Sequence, residues 1–421
     1  MSNSVLEFVW ETMISVDSLV VSDQVKLGRG EIISKEDIRD LPGPYPIYSS
    51  SSKSQGKMGQ YGKFMFDEEL ITWSVDGGGF VFYRPKHKFS VTNVCGYMQL
   101  SEQWDYRFVS YLLQLQHSYL SFDYQSKAHP SVIRNLYYLP KVDIGIQRKI
   151  AEILATIDNQ IDATQALIDK YTAIKQGMMA DLFSRGIDPE TKALRPTFEE
   201  ASELYHKTPL GMLPKGWKVI ELENLLDEVT SPMRSGPFGS ALLKEELVSE
   251  GIPLLGIDNI FVERFKASYK RFVTERKFRE LSRYAVRERD VVITIMGTVG
   301  RSCVIPESIG LALSSKHLWT MTFDKEQILP ELVCWQLNHS PWAESWFRRE
   351  SQGGVMDAIQ SQTLKKLKLV VPPPVEQNAI YERYKNLNNH IEVNQTSLDK
   401  LKLQKTGLMQ DLLTGKVPVP A

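Results

Sequence analysis

Residues 147–182 read QRKIAEILATIDNQIDATQALIDKYTAIKQGMMADL, and residues 377–412 read QNAIYERYKNLNNHIEVNQTSLDKLKLQKTGLMQDL. The second stretch repeats the first at a constant offset of 230 residues without a gap, and 13 of 36 aligned positions are identical. Among them are Gln147/Gln377, Ile150/Ile380, Glu152/Glu382, Asn159/Asn389, Asp169/Asp399, Lys170/Lys400, Gly177/Gly407 and Asp181/Asp411. A match this long marks an internal duplication. Each copy also spaces side chains alternately by four and three: Ile150, Leu154, Ile157, Ile161, Thr164, Ile168, Tyr171, Lys175, Met178, Leu182, and Ile380, Tyr384, Leu387, Ile391, Asn394, Leu398, Leu401, Lys405, Leu408, Leu412. An average spacing of 3.5 keeps one stripe facing a partner helix, so the two copies are expected to pack on each other.

Parallel in-register packing would set Lys175 against Lys405 inside the seam. Antiparallel packing opposes each lysine to an apolar layer near a helix end, where the stem packs and the ammonium is expected to reach water. The plainer reading of the pair is a packing device with no further role.

At 421 residues the chain has room for two or three domains. A net charge of −1 and a pI near 6.7 exclude a globally basic nucleic-acid binder without bearing on local patches. Cys95, Cys303 and Cys334 have neither metal-ligand spacing nor the density of a disulfide framework, and are expected to be buried and reduced. Glu7 and Glu11 near the start, and no apolar run approaching 18 residues, predict no signal peptide, no membrane span and a cytoplasmic protein.

Four segments follow: a first globular domain over 1–145, a long helix over 146–184, a connector and second domain over 185–371, and a second long helix with tail over 372–421. In the first domain Leu70–Trp73, Phe80–Tyr83 and Val91–Leu100 read as strands and Trp104–Leu120 as a helix. Ser49–Gly62, SSSSKSQGKMGQYG, reads as a polar basic loop placing Lys57, Gln60 and Tyr61 where they could follow a phosphate backbone or reach a base edge. An ordinary mobile loop is the plainer reading. Gly56 and Gly62-Lys63 are one residue too far apart for a P-loop, and Phe64 stands where magnesium would need Ser or Thr. Asp76-Gly77-Gly78-Gly79 reads as a hairpin turn.

In the second domain Val291–Ile295 reads as a buried strand and Leu329–Leu337 as a helix. Between Arg264 and Arg301 there are 11 Lys or Arg against 4 Asp or Glu, an excess suited to a polyanion unless a solvated helix over Thr274–Glu288 absorbs it. Catalytic signatures are missing from the sequence: no H-E-x-x-H, no G-x-S-x-G and no zinc-spaced cysteine pair. Ser315-Lys316-His317 is a poor nucleophile-base set, because adjacent residues rarely converge on one substrate atom. Ser235-Gly-Pro-Phe238 lacks the acidic or amide residue and first proline of an adenine-methylating motif.

Several stretches resemble one family: Leu213-Pro-Lys-Gly-Trp217, Ser235-Gly-Pro-Phe-Gly-Ser240, Gly251-Ile-Pro-Leu-Leu-Gly-Ile-Asp-Asn-Ile260, Asp290-Val-Val-Ile-Thr-Ile-Met-Gly-Thr-Val-Gly-Arg301, Gln352-Gly-Gly354 and Pro372-Pro-Pro-Val-Glu-Gln377. In this order around a duplicated helix, they resemble the specificity subunits of type I restriction-modification systems. The first domain departs from that pattern, with no Leu-Pro-x-Gly-Trp opening and Asp143-Ile-Gly-Ile-Gln147 at the helix start. The resemblance implies an α+β chain: two α/β target recognition domains separated by two long antiparallel coiled-coil helices with pseudo-two-fold symmetry.

The function implied is a non-catalytic reader of double-stranded DNA with a bipartite sequence. It would scaffold two methyltransferase subunits and restriction subunits, and bind no cofactor directly, with S-adenosylmethionine, ATP and magnesium on those partners. Candidate DNA contacts are Lys57, Gln60 and Tyr61 in the first domain, and Arg234, Ser235, Phe238, Ser240, Arg301, Lys316 and Gln352 in the second. Candidate partner contacts on the helices are Asp158, Asp162, Asp169, Lys170, Asp399 and Lys400. A coiled-coil protein scaffold without DNA specificity is the alternative, and an enzyme acting alone a third. The seam from Ile150 to Leu182 spans roughly 50 Å at about 1.5 Å per residue, longer than one DNA turn of about 34 Å.

Overall fold

The computed structural model describes residues 6–51, 53–76, 78–120, 128–351 and 359–420. The chain divides into two compact units, residues 1–167 with 393–421, and residues 168–392.

In the first unit six strands form one sheet: β1 (Val25–Arg29), β2 (Tyr45–Tyr48), β3 (Lys57–Tyr61), β4 (Phe66–Ser74), β5 (Val81–Val91) and β6 (Cys95–Leu100), in the spatial order β1-β6-β4-β5-β2-β3. All neighbours are antiparallel except β2 and β5. The expected Val91–Leu100 strand is broken by a turn in which Cys95 N donates to Thr92 O at 2.9 Å, so Val91 closes β5 instead. Strand β5 continues through Pro85 because its pairing with β4 shifts register between Glu68 and Leu70, the kind of irregularity where a missing N–H is tolerated. Asp76, Gly78 and Gly79 lie in the turn joining β4 to β5. Helix α1 (Tyr106–His117) is capped by Asp105, whose carboxylate accepts from Phe108 N, and buries Phe108, Leu112 and Leu115 against Trp73 and Met98. The Ser49–Gly62 stretch is only partly a loop, since Lys57–Tyr61 is an edge strand.

In the second unit β7 (Met233–Arg234), β8 (Ile252–Leu255), β9 (Ile260–Phe261), β10 (Arg264–Phe265), β11 (Phe272–Val273), β12 (Val291–Thr294), β13 (Ser302–Val304), β14 (Leu313–Ser314) and β15 (Leu318–Met321) form three small sheets. Their orders are β7-β15-β12-β13, β11-β8-β14 and the hairpin β9-β10. Strand β12 is buried throughout, as its apolar run predicts, and helix α3 (Pro330–His339) packs on it. In the expected solvated segment, helix Glu275–Glu280 carries Arg276–Glu280 and Arg279–Glu275 pairs, with Lys277 on Glu246. Arg289 pairs with Glu331, and Arg287 donates to Thr230 O. Carboxylates from outside the segment, Glu246 and Glu331, thus balance two of its cations.

The repeats are helix α2 (Ile144–Arg185) and helix α4 (Pro374–Leu413). In the first unit Ile150 and Leu154 share a core with Leu412 and Leu413. In the second, Met179, Leu182 and Phe183 share one with Ile380 and Tyr384. In each unit the start of one helix meets the end of the other, so the packing is antiparallel. Every residue of the predicted seam is buried or half-buried.

Both copies are also fastened to their own domain by the same residue. Gln147 accepts from Asp105 N at 2.9 Å and donates to Gln103 O and Val142 O. Gln377 accepts from Leu329 N at 2.9 Å and donates to Gln327 O and Pro372 O. Each glutamine satisfies one orphan donor, the cap N–H at the start of a domain helix.

The expected fate of the seam lysines needs correction. Lys175 is 6 % exposed, so its ammonium does not reach water; it pairs with Glu263 and donates to Asn388 Oδ1 at 3.1 Å. Lys405 pairs with Asp158 at 2.7 Å and lies 5.3 Å from the ring centre of Tyr111. The three cysteines are buried and unbridged, and burial pushes the Cys95 and Cys303 thiols up to about 12. Among the described residues no helix is long and apolar enough to cross a membrane.

Candidate nucleic-acid interface

In the first unit the loop between β2 and β3 is fixed from below by one buried cation. Ser54 and Gln55 are left-handed at φ 48° and 51°, and Arg84, 2 % exposed, donates to Gln55 O at 2.6 Å. The same guanidinium donates to Thr72 Oγ1 at 2.9 Å and stacks 3.7 Å from the Tyr48 ring centre. Burial pulls the Arg84 pKa down to about 10, which leaves it charged at neutral pH. Ser49 N donates to Gly56 O at 2.8 Å and Ser74 Oγ to Ser50 O at 2.8 Å, closing the loop onto the sheet.

The surface so held is basic. Lys53, Lys57, Lys63, Lys86 and Lys88 are exposed, and no carboxylate occurs from Leu41 to Phe66. Lys88 Nζ lies 4.8 Å from the ring centre of exposed Phe64. Lys57 is exposed on β3, and Gln60 is exposed with its amide donating to Pro44 O at 3.0 Å. Tyr61 does not belong to this surface. It is 7 % exposed and its hydroxyl bonds Ser90 Oγ at 3.1 Å, because strand alternation turns it opposite to Gln60.

In the second unit the loops of the quoted motifs meet at a cleft of about 430 Å³ whose wall includes Pro237, Gly239, Lys244, Gly256, Ile257, Arg271, Lys316 and His317. Gly236 permits the approach, since a Cβ there would lie 2.1 Å from Ser314 O, and its N–H donates to Ser315 O at 3.2 Å. Gly297 borders the same wall, 3.7 Å from Ile257 Cδ1 measured from where a Cβ would stand. Lys316, Phe238 and Ser240 are exposed and Arg301 is half-buried. Burial, then Lys316 and Arg271, hold the His317 imidazole below its ordinary pKa, which favours the neutral form. Asp258 pairs with Arg271 and partly offsets the cationic wall.

Two expected contacts in this loop are structural. Arg234 is 5 % exposed, pairs with buried Asp290 and donates to Ala285 O at 2.7 Å and Thr322 Oγ1 at 3.0 Å. Ser235 is 7 % exposed and donates to Lys316 O at 3.4 Å. Both fix the loop that presents Phe238 and Ser240. Gln352 lies outside the described residues.

On the helices, Asp158 faces inward rather than outward. It accepts from the Tyr111 hydroxyl at 2.6 Å besides pairing with Lys405. Asp162, Asp169, Lys170, Asp399 and Lys400 are exposed, Asp399 accepting from Gln395 Nε2 at 3.2 Å. Lys53, Gln55, Lys63, Lys88 and Arg271 join these surfaces in addition to the candidates drawn from the sequence. Lys53, Gln55 and Lys63 belong to or adjoin the quoted loop, whereas the sheet and cleft that bring in Lys88 and Arg271 are tertiary.

A loop-bearing sheet with a basic face, a cleft lined by Lys244, Arg271 and Lys316, and an antiparallel pair of duplicated helices define the class of fold. A profile described as Type I restriction modification DNA specificity domain matches residues 19–172 and 214–403, and the chain belongs to that family. The type I restriction enzyme MjaVIII specificity subunit of Methanocaldococcus jannaschii is 23 % identical over 417 residues, 95 % of this chain and 92 % of that protein. The type I restriction enzyme MpnII specificity subunit of Mycoplasma pneumoniae is 30 % identical over 161 residues, 35 % of this chain and 45 % of that protein. The crystal structure of the type I restriction-modification system S subunit from M. genitalium aligns with 98 % of this chain and 97 % of its own at TM-score 0.61 and 17 % identity, a shared fold.

Proposed function

We propose that the chain is the DNA-sequence specificity subunit of a type I restriction-modification complex, reading a bipartite target with one domain per half-site. The observation that carries this reading is the family match on both sides of the connector, each part ending in one copy of the duplicated helix. Lys53, Lys57, Lys63 and Lys88 supply phosphate contacts on one domain, and Lys244 and Lys316 on the other, with Gln55, Gln60, Phe238 and Ser240 placed to meet base edges. The chain itself performs no chemistry. Methyltransferase subunits bring S-adenosylmethionine, and restriction subunits bring ATP and magnesium.

The test is to purify the chain with its methyltransferase partner, select bound DNA, and map methylated adenines. Two separated half-sites and affinity that falls with salt are expected. Binding without sequence preference would reject the reading in favour of a protein scaffold. For partner docking the exposed helix faces are proposed, with Asp162, Asp169, Lys170, Asp399 and Lys400. Charge reversal at Asp169 and Asp399 together should abolish co-purification with the methyltransferase while the chain stays folded, and unchanged co-purification removes this surface from consideration.

A further inference from the structure

Glu263 lies in the turn between β9 and β10, where its backbone is left-handed at φ 54°. Glycine adopts that conformation without steric cost, so a glutamate is placed there against local preference. Its side chain is 7 % exposed and pairs with Lys175 of α2, with His339 Nε2 at 3.3 Å. Position 388, whose side chain accepts from Lys175, duplicates position 158. In the first copy that position is an aspartate and neutralises Lys405; in the second it is an asparagine and cannot neutralise Lys175. The missing carboxylate is supplied from the globular domain, by Glu263.

The same hairpin reaches the cleft. Asn259, 1 % exposed, accepts from Gly256 N at 2.9 Å and donates to Lys266 O at 2.9 Å and Ser268 O at 3.1 Å. It thereby ties Gly256 and Ile257, both in the cleft wall, to the segment following the hairpin. Glu263 N donates to Ser302 O at 2.9 Å, fastening the turn to β13.

We propose that Glu263 is a positioning residue for second half-site recognition: its ion pair with Lys175 anchors the β9–β10 hairpin to the helix pair and, through Asn259, sets the cleft wall at Gly256 and Ile257. The half-site part rests on the DNA reading above. Neither Glu263 nor Asn388 touches the DNA in this scheme.

The test compares E263Q, N388D and E263Q/N388D in the full chain bound to its methyltransferase partner. N388D returns a carboxylate beside Lys175, but on the helix rather than on the hairpin. E263Q is expected to lower the urea midpoint, speed amide exchange at residues 260–265, and reduce discrimination of the second half-site against a scrambled one by about tenfold, leaving the first unchanged. The double variant is expected to recover the midpoint but neither hairpin protection nor discrimination. Recovery of all three would reduce Glu263 to charge balance and overturn the proposal, as would unaltered hairpin exchange in E263Q. If the unsubstituted complex discriminates neither half-site, the DNA reading fails and the half-site role with it, while the exchange measurement still decides the anchoring.

Discussion

Gln147 and Gln377 fasten the two long helices to their domains with matching hydrogen bonds, yet the lysines 28 residues further on are balanced in different ways. Lys405 has its carboxylate on the facing helix, with side chains 24 % and 31 % exposed across the pair. Lys175 takes its carboxylate from the β9–β10 turn, and both side chains are at most 8 % exposed. The difference teaches which features of a duplicated joint can drift. A glutamine that must accept from one backbone N–H and donate to two carbonyls has a narrow geometric solution, and it is the same in both copies. A charge needs only a nearby counter-charge, which can come from any element that reaches it.

The largest expected effect tests whether the two units read independently. Replacing residues 217–371 with the equivalent segment of a relative should change one half-site completely and leave the other intact, as mapped by methylated adenines. A change in both would break the comparison at its root.

Next come the two lysines. Lys175→Met strands the Glu263 carboxylate in a buried site and should cost about 3–5 kcal/mol, whereas Lys405→Met removes a partly exposed pair and should cost about 1 kcal/mol or less. Denaturant-dependent amide exchange measures both, because it separates the two units. Equal costs would show that the burial difference has no energetic weight.

A smaller effect depends on pH. Burial pushes the Glu263 carboxyl up, but His339 and Lys175 outweigh it and hold the group below its ordinary 4.5. A depressed carboxylate stabilises the fold fully above its unfolded pKa, and that contribution disappears as pH falls through the folded value. The stability gap between the unsubstituted chain and E263Q should thus shrink as pH falls below about 4.5. A gap that grows on acidification would contradict the assigned charge state.

The smallest effect compares the two basic surfaces. Lys57→Ala and Lys316→Ala should each lower the slope of log affinity against log salt by about 1 without changing the preferred sequence. A loss of sequence preference at Lys316 alone would mean that the cleft reads bases where the first domain's loop reads phosphates.

The helix pair was legible because its signal is local and repeated: the 3.5 spacing names the seam residues without knowledge of the rest of the fold. Strands β4 and β12 were legible for the same reason. The burial of Tyr61 and Arg234 is not legible in the sequence because a residue's side of a sheet depends on register, set by strands up to 88 residues away such as β15 opposite Arg234. Glu263 gave no local sign of its role, being 88 residues from Lys175 in an otherwise ordinary turn. One clue was available: the repeat keeps its lysine while changing Asp158 to Asn388. That raises the question of the counter-charge without naming its source.

The glutamine joint also bears on how such genes can be rearranged. A recombination that exchanged one globular segment for another would find the same hydrogen-bonding fixture at either junction, so the crossover would leave the scaffold intact. The second junction adds a condition that the first does not impose. A segment arriving there without a carboxylate at the place of Glu263 would leave Lys175 buried and unbalanced unless another of its elements, or an aspartate at position 388, supplied the counter-charge. A library of chimaeras can score that condition, with the residues at positions 263 and 388 as its first two variables.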